Sequence, residues 1–215
     1  DLGNDTSVCL GDNVFLDAGV GWQSYTWSPT NDTTQTIFAD SSLTYSVSVT
    51  NANLCVGLDS ITITVDTLPV IDLGNDTSIC QGENLVLTAD SNYQAYIWSG
   101  GQFNQTATYN TGGTITLVAV DSNGCQSSDS KDLSIDTIPQ INLGADTALC
   151  DLDSMFLYSI PNLFTQFWNG DSTNTTDTLK IDTAGTYIIT IIDSSLCFST
   201  DTFMLSIDTL PVIDL

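Results

Sequence analysis

Cysteine and aspartate are the residue types in this chain that could do chemistry, and both recur at regular intervals. The cysteines form three pairs separated by 46, 45 and 47 residues: Cys9 and Cys55, Cys80 and Cys125, Cys150 and Cys197. Thiols can bind metal or form disulfides, but the chain has no histidine and no CxxC pair, the features of common metal sites. The spacing therefore predicts three disulfides, one within each pair, and a location outside the reducing cytosol.

These cysteines belong to a longer repeat. The phrase LGNDTSVC, which ends at Cys9, returns as LGNDTSIC ending at Cys80 and as LGADTALC ending at Cys150. One tryptophan lies 18 residues after each first cysteine: Trp27, Trp98 and Trp168. Recurrence at a fixed period indicates one structural unit per repeat. We therefore predict three domains, at residues 1–71, 72–141 and 142–215, the last of which includes the start of a further repeat.

Carboxylates dominate the charge of the chain. There are 26 acidic and 2 basic residues, so the formal net charge is −24. Nucleic-acid affinity comes mainly from lysine and arginine contacts to phosphate, which excludes a nucleic-acid partner. Anionic membrane surfaces are disfavoured for the same reason, and no apolar run approaches the roughly 18 residues of a membrane span. We expect no membrane insertion.

Aspartates near the domain boundaries raise the question of calcium, which prefers oxygen ligands. The spacing of an EF-hand loop is absent, and aspartate and threonine also cap turns through hydrogen bonds from side chain to backbone. We favour the capping interpretation and expect no other cofactor. Calcium binding stays an alternative, for which the candidate ligands are Asp66, Asp72, Asp76, Asp136 and Asp146.

Catalysis requires a poised acid, base or nucleophile in a pocket. The chain lacks histidine and lacks a GxSxG nucleophile motif, the signature of one large hydrolase class. Paired carboxylates could act as in glycosidases, but here they are scattered through turns. The sequence therefore predicts a protein that is not an enzyme.

Short runs in which apolar and polar residues alternate predict the strands that must position these residues. Valine, isoleucine, threonine and aromatic residues alternate with polar ones between glycine, asparagine, aspartate and proline, which is typical of strands. Such runs in the first repeat predict strands at 13–18, 24–28, 36–39, 44–50 and 60–65. With no helical period, the sequence predicts an all-β fold in which each repeat is a small antiparallel β-sandwich.

Five side chains carry specific expectations within that sandwich. The repeated tryptophans are expected to anchor the cores, whereas Trp22 has no counterpart and is expected at the surface. Lys131 stands where the other repeats have Ile61 and Phe203. We expect it at the start of a strand, with its long side chain bent out to water.

The ordered set of LG, D, T, Cys, Trp and Cys resembles a known family. It is similar to the tandem immunoglobulin-like, polycystic-kidney-disease-like repeats of very large Bacteroidota surface proteins, which are commonly exported by type IX secretion. The resemblance covers all three repeats. It implies three tandem immunoglobulin-like sandwiches, each with one disulfide by the spacing above, at the cell surface.

The same resemblance implies a structural role in an adhesin, a gliding filament or a prey-capture appendage. The partners would be neighbouring repeats of the same long chain, and one alternative adds laterally packed identical chains in a fibre. A second alternative is a glycan- or protein-binding module, because the loops at residues 100–113 and 159–180 differ from repeat to repeat.

The phrase DT[LI]P has a structural and a chemical interpretation. The residue before proline is held extended, so Leu68-Pro69, Ile138-Pro139 and Leu210-Pro211 are predicted to be stiff connectors. Aspartate, then threonine or serine, then an apolar residue is also similar to the O-glycosylation signal of the same bacterial group. The resemblance therefore implies these candidate acceptors: Thr67, Thr137, Thr209, Thr147, Ser154 and Thr183.

Overall fold

The computed structural model describes residues 1–151, 153–160, 165–171 and 173–209. All regular secondary structure in these ranges is β-strand, which confirms the all-β fold class. No helix in the described part of the chain is long and apolar enough to cross a membrane. The predicted connector Leu210-Pro211 and the start of a further repeat at 214–215 lie outside the described residues.

The first repeat contains six strands. They are β1 Thr6–Cys9, β2 Val14–Asp17, β3 Ser24–Ser28, β4 Thr36–Ala39, β5 Leu43–Thr50 and β6 Val56–Asp66. The predicted strands at 24–28 and 36–39 are confirmed residue for residue. Two features were not predicted: β1, which lies inside the repeated phrase, and the early start of β6 at Val56.

The second and third repeats contain the same elements. In the second they are β7 Thr77–Cys80, β8 Leu85–Thr88, β9 Ala95–Trp98, β10 Thr106–Tyr109, β11 Gly113–Val120 and β12 Gln126–Asp136. In the third they are β13 Thr147–Cys150, β14 Met155–Tyr158, β15 Thr165–Trp168, β16 Thr178–Ile181, β17 Gly185–Ile192 and β18 Phe198–Asp208.

Each repeat pairs a four-stranded sheet with a two-stranded one, which makes an immunoglobulin-like sandwich. The larger sheets have the orders β1-β6-β5-β3, β7-β12-β11-β9 and β13-β18-β17-β15. The smaller sheets are β2-β4, β10-β8 and β14-β16. The sequence predicted antiparallel pairing throughout. In the structure one strand of each larger sheet differs, because β1, β7 and β13 each run parallel to the last strand of their repeat.

The repeated tryptophans anchor the cores, as predicted. Trp27 and Trp168 are fully buried and Trp98 is 2% exposed. Each indole Nε1 donates a hydrogen bond to a backbone carbonyl 6 to 8 residues later, at 2.8 to 2.9 Å. A buried indole N–H needs such a partner, so the loop after each tryptophan is tied to the core. Trp22 is 42% exposed, also as predicted.

The prediction for Lys131 was wrong. Because β12 begins at Gln126, Lys131 lies in the middle of the strand, and its residue is only 8% exposed. The side chain occupies the place that Ile61 and Phe203 fill in the other repeats. Its Nζ donates a hydrogen bond to the Leu73 carbonyl at 3.1 Å, which gives the buried ammonium a partner.

The chain divides into two compact units. One contains residues 1–75, 86–107 and 114–131; the other contains residues 76–85, 108–113 and 132–215. The first unit holds a core of buried residues around Trp27, Tyr45 and Ile63. The second holds a core around Trp168, Phe203 and Leu205.

Candidate functional site

An aspartate in the last strand of each repeat fixes the start of the repeated phrase. Asp59 Oδ2 accepts a hydrogen bond from the Leu2 amide at 2.5 Å. The same bond joins Asp129 to the Leu73 amide at 2.7 Å and Asp201 to the Leu143 amide at 2.6 Å. The sequence analysis missed these aspartates. Their signal is positional, because each lies four residues after the second cysteine of its repeat.

The aspartate inside the repeated phrase makes the return bond. Asp5 Oδ1 accepts from the Thr62 amide at 2.8 Å. Asp76 accepts from the Asp132 amide at 2.9 Å and Asp146 from the Met204 amide at 2.8 Å. Each repeated phrase is therefore clamped to the last strand by two carboxylates, which explains why its aspartate recurs.

Two carboxylates of this clamp, Asp59 and Asp129, are stabilised in their charged form. The Leu2 amide, and after it the Ser60 amide, lowers the pKa of Asp59 below its ordinary value. In the second repeat the Leu73 amide, followed by the Ser130 amide, lowers the pKa of Asp129 in the same way. A backbone N–H that bonds to a carboxylate favours ionisation, so the bonds from the Leu2 and Leu73 amides are strongest when Asp59 and Asp129 are charged.

Parallel pairing places the first cysteine of a repeat at the far end of the last strand. Cys9 is in register with Asp66, the final residue of β6. The Leu10 amide extends this pairing by donating to the Asp66 carbonyl at 2.8 Å. In the second repeat Cys80 is in register with Asp136. The first cysteine therefore lies beside the end of the last strand, where the chain leaves the repeat.

The second cysteine lies in a tight turn at the opposite end of the same strand. In the second repeat, Asp121 Oδ1 accepts from the Asn123 and Cys125 amides, each at 2.9 Å. Asp193 makes the same two bonds to Ser195 and Cys197 in the third repeat, each at 2.9 Å. The sequence analysis missed these residues too, although each lies four residues before its cysteine.

The disulfides join neighbouring repeats, so the predicted pairing within repeats was wrong. Cys9 is bonded to Cys125 and Cys80 to Cys197, each with a Cα–Cα distance of 5.5 Å. Both bridges connect the first cysteine of one repeat with the second cysteine of the next. Each lies within one of the two compact units. The prediction of one disulfide per repeat is corrected to two bridges between repeats.

Strand length explains this correction. β6 contains 11 residues, which at about 3.3 Å per residue is roughly 35 Å. Cys9 lies beside one end of that strand and Cys55 immediately precedes the other. A disulfide requires Cα atoms within about 7 Å, so these two cysteines cannot bond in the folded repeat.

Cys55 and Cys150 are left as free thiols, and both are exposed. By contrast, the bridged second cysteines Cys125 and Cys197 have no exposed surface. The free residues are one of each type: Cys55 is the second cysteine of the first repeat, and Cys150 is the first cysteine of the third.

The calcium candidates are not gathered into a site. Within the described residues, no group of three or more histidine, cysteine or acidic side chains could hold a metal ion. Asp76 and Asp146 belong to the clamp, and Asp72 Oδ1 accepts from the Gly74 amide at 2.7 Å. The backbone carbonyls of Asp66 and Asp136 accept hydrogen bonds from the residues after the first cysteines. The Asp72 bond is a turn bond of the kind that the capping interpretation describes.

All six candidate O-glycosylation residues lie at the surface. They are Thr67, Thr137, Thr209, Thr147, Ser154 and Thr183. The connector prolines Pro69 and Pro139, in contrast, are buried. A connector with a buried proline and an exposed threonine is held in place and still leaves the hydroxyl accessible.

Comparison with known proteins identifies the fold alone. No family model matches the sequence, and no curated protein is similar to it. The chain is similar to the N-terminal eight immunoglobulin domains of the Down Syndrome Cell Adhesion Molecule, with a TM-score of 0.51 and 14% identity. That match covers 95% of this chain and 36% of the other, so this chain spans about a third of that protein's structure.

Two further solved structures have lower scores. Three immunoglobulin domains of titin match with a TM-score of 0.45 and 13% identity, over 95% of this chain and 96% of the other. The insect immune protein hemolin matches at 0.34 and 10% identity, over 96% and 74%. The sheet topology and the match to the Down Syndrome Cell Adhesion Molecule together identify the fold as a tandem array of immunoglobulin-like domains.

Proposed function

We propose that this chain is a non-catalytic, structural repeat segment of a long secreted cell-surface adhesin or extracellular filament. Such a filament would serve attachment, gliding or prey capture, and its domains here would be residues 1–71, 72–141 and 142–215. The observation that carries the proposal is the overlap of the two disulfide-closed loops, Cys9 to Cys125 and Cys80 to Cys197.

Overlap gives the chain covalent redundancy. Every peptide bond between Cys9 and Cys197 lies inside at least one closed loop, and those between Cys80 and Cys125 lie inside both. Breaking any one of these bonds leaves the two ends of the chain connected through a disulfide. Bridges within repeats would leave the connectors at 55–80 and 125–150 as single covalent links. A bridge between neighbours therefore suits a chain that carries tension while exposed to proteases.

The chemistry of the surface supports an extracellular location. Disulfides persist in oxidising compartments, and a charge of −24 keeps exposed chains soluble. The resemblance to Bacteroidota surface repeats favours export by type IX secretion, with O-glycans on the six exposed hydroxyl residues. The partners would be neighbouring repeats and, in a fibre, laterally packed copies.

A specific nick in the connector tests the covalent redundancy. A recognition site for a sequence-specific protease would be inserted after Val70, which is 82% exposed, in a C55S/C150S chain that cannot form bridges between copies. After cleavage we expect one species under non-reducing conditions and two fragments after reduction. Separation of the fragments without a reductant would overturn the proposed role of the bridges.

Electron cryo-imaging of the source cells, with an antibody raised against this chain, tests the cellular role. We expect the label along filaments or stalks outside the cell. A label confined to the cytoplasm, or to compact soluble particles, would overturn the proposed function even if the nicked chain stays connected.

A second candidate function is a glycan- or protein-binding module, and exposed aromatic residues favour it. Phe103, in the variable loop at 100–113, is 67% exposed. Phe15 and Phe38 face solvent on the β2-β4 sheet with ring centroids 5.4 Å apart. Specific binding to a glycan array that is lost in Phe103→Ala, and kept in a Phe156→Ala control, would support this function.

A further inference from the structure

We propose that Ser159 and Gln166 of the third repeat form an ester cross-link, in which the serine hydroxyl replaces the amide nitrogen of the glutamine and ammonia is released. The reaction happens once per chain, between two of its own side chains. Gln166, which is 4% exposed, and Lys131 are the polar or charged residues that the described part of the chain buries. The inference goes beyond the proposed function and does not depend on it.

Both ends of the Gln166 amide contact a group that can react with it. Oε1 accepts a hydrogen bond from the Ser159 hydroxyl. Nε2 donates to Asp177 Oδ1 at 2.6 Å and to the Thr175 carbonyl at 3.4 Å. One buried amide therefore holds a nucleophile at its oxygen and a carboxylate that can move protons at its nitrogen.

The backbone fixes Ser159 and Asp177 beside each other. The Ser159 amide donates to the Asp177 carbonyl at 2.9 Å. The same bond recurs in the other two repeats, at 3.1 and 3.0 Å, in the pairs Ala18 with Gln35 and Ala89 with Gln105. The fold therefore positions this pair in every repeat, and the third repeat differs in the side chains that it places there.

Three side chains change together in the third repeat. Gln166 lies two residues before the core tryptophan, where the first and second repeats have Tyr25 and Tyr96. Each tyrosine hydroxyl donates to a backbone carbonyl, at 2.9 and 2.7 Å. The third repeat replaces that tyrosine with an amide, and it has Ser159 and Asp177 where the others have alanine and glutamine. The hydroxyl, the amide and the carboxylate thus occur together in the repeat where all three meet.

The Ser159 hydroxyl lies close to the carbon that it must attack. A C=O bond is about 1.23 Å long, and an O–H···O contact extends to about 3.0 Å. Oγ of Ser159 is therefore within roughly 4 Å of Cδ of Gln166, near the 3–3.5 Å of a productive attack geometry. A small movement of the serine side chain separates the hydrogen bond from the attack.

The step balances without an external reagent. Oγ of Ser159 bonds to Cδ of Gln166, and the hydroxyl proton moves to the Asp177 carboxylate, directly or through water at its exposed side. Asp177 then passes the proton to Nε2, and the Cδ–Nε2 bond breaks to release one ammonia. Because Gln166 is buried, water has little access to the ester.

The link would join the two sheets of the third sandwich covalently. Ser159 directly follows β14 of the smaller sheet, and Gln166 lies in β15 of the larger one. In the first two repeats the tyrosine makes a hydrogen bond in this region. The third repeat would have a covalent bond in its place.

Mass spectrometry of one peptide tests the inference. Residues 153–171 include both side chains and have aspartate only at the two ends, so cleavage at aspartate isolates them. We expect this peptide, from the purified disulfide-bonded chain, to weigh one ammonia less than its sequence, with no fragment ions from breaks between Ser159 and Gln166. Hydroxylamine is expected to open the link and leave a hydroxamate on Gln166. A full-mass peptide from a chain with an intact Cys80–Cys197 bridge would overturn the inference.

Ser159→Ala is the matched control, because alanine occupies this position in the other two repeats. The variant removes the nucleophile and is expected to give the full mass. Asn169-Gly170 lies in the same peptide and can lose ammonia by closing a succinimide. A loss that persists in Ser159→Ala would therefore assign the missing ammonia to that site and contradict the cross-link.

Asp177→Asn tests the proton transfer. Asparagine keeps a hydrogen-bond acceptor for the Gln166 amide and removes the carboxylate. We expect the ester to form at least about a hundredfold more slowly in this variant, measured as the mass of the same peptide over time after purification. An unchanged rate would overturn the role of Asp177. The nick experiment retains all three residues, so the proposed function and this cross-link can fail independently.

Discussion

The turn at Cys55 and the turn at Cys125 have the same backbone hydrogen bonds and opposite covalent states. Each is closed by a side-chain oxygen four residues before the cysteine, from Asn51 or Asp121. Yet Cys125 is bridged and fully buried, whereas Cys55 is free and exposed. The conformation of the turn is thus determined locally, and the bond is determined by whether a neighbouring repeat supplies the first cysteine.

Removing a bridge should give the largest difference between the two turns. The loop closed by Cys9 and Cys125 spans 116 residues, and the chain-entropy model assigns a loop of this size about 5 kcal/mol of stabilisation. We expect C9S/C125S to lower the free energy of unfolding by roughly 4–5 kcal/mol. The measurement is denaturant unfolding followed by tryptophan fluorescence.

The matched control for that experiment is C55S/C150S, which removes the two free thiols and no bridge. It is expected to unfold at the same denaturant concentration as the unmodified chain. An equal loss of unfolding free energy in C9S/C125S and in C55S/C150S would contradict the assignment of the bridges.

Exchanging the residue before each cysteine should have an intermediate effect. Leu54 has φ 65° and Gly124 has φ 87°, in the left-handed region that costs a non-glycine residue about 1–2 kcal/mol. We expect Leu54→Gly to raise the free energy of unfolding by about 1 kcal/mol, and Gly124→Leu to lower it by about the same amount. Denaturant unfolding of both variants measures the two effects.

Crowding at Cβ would not account for the second effect. A Cβ atom added at Gly124 meets no atom within 4 Å, so the backbone strain is present without a clash at that atom. If Gly124→Leu were neutral, the two turns would not share the strained conformation that the comparison requires.

Lowering the pH should have the smallest effect on stability. It protonates the clamp residues Asp59 and Asp129, which lie four residues after Cys55 and Cys125. The pKa values of Asp59 and Asp129 are lowered by backbone hydrogen bonds from an ordinary value of 3.8. A lowered folded-state pKa contributes stability above the unfolded-state value, and that contribution is lost as the pH falls below 3.8 through the folded-state pKa. We expect the melting temperature to fall over this range.

D59N/D129N is the control for the acid prediction, because an amide keeps the hydrogen-bond acceptor and removes the titration. The variant is expected to have a lower melting temperature than the unmodified chain at neutral pH. Its melting temperature is expected to fall by less on acidification. An identical acid dependence in the two proteins would assign the transition to other carboxylates.

The sequence predicted the sandwich and its tryptophan anchors because these depend on short alternating runs. It did not predict β1, which has four residues in a polar phrase and pairs with β6 from 57 positions away, as Thr6 does with Ile63. Without β1 the position of Cys9 is unknown, and six cysteines allow 15 connectivities. The burial of Lys131 was missed for a related reason, since the polar first half of β12 gives no alternating signal.

Disulfide mapping of the native protein tests the central claim most directly. The chain has only two lysine or arginine residues, so cleavage at aspartate, under non-reducing conditions with free thiols blocked, is the suitable digest. The account predicts linked peptides that contain Cys9 with Cys125 and Cys80 with Cys197. Peptides that link Cys9 with Cys55, or Cys80 with Cys125, would contradict it.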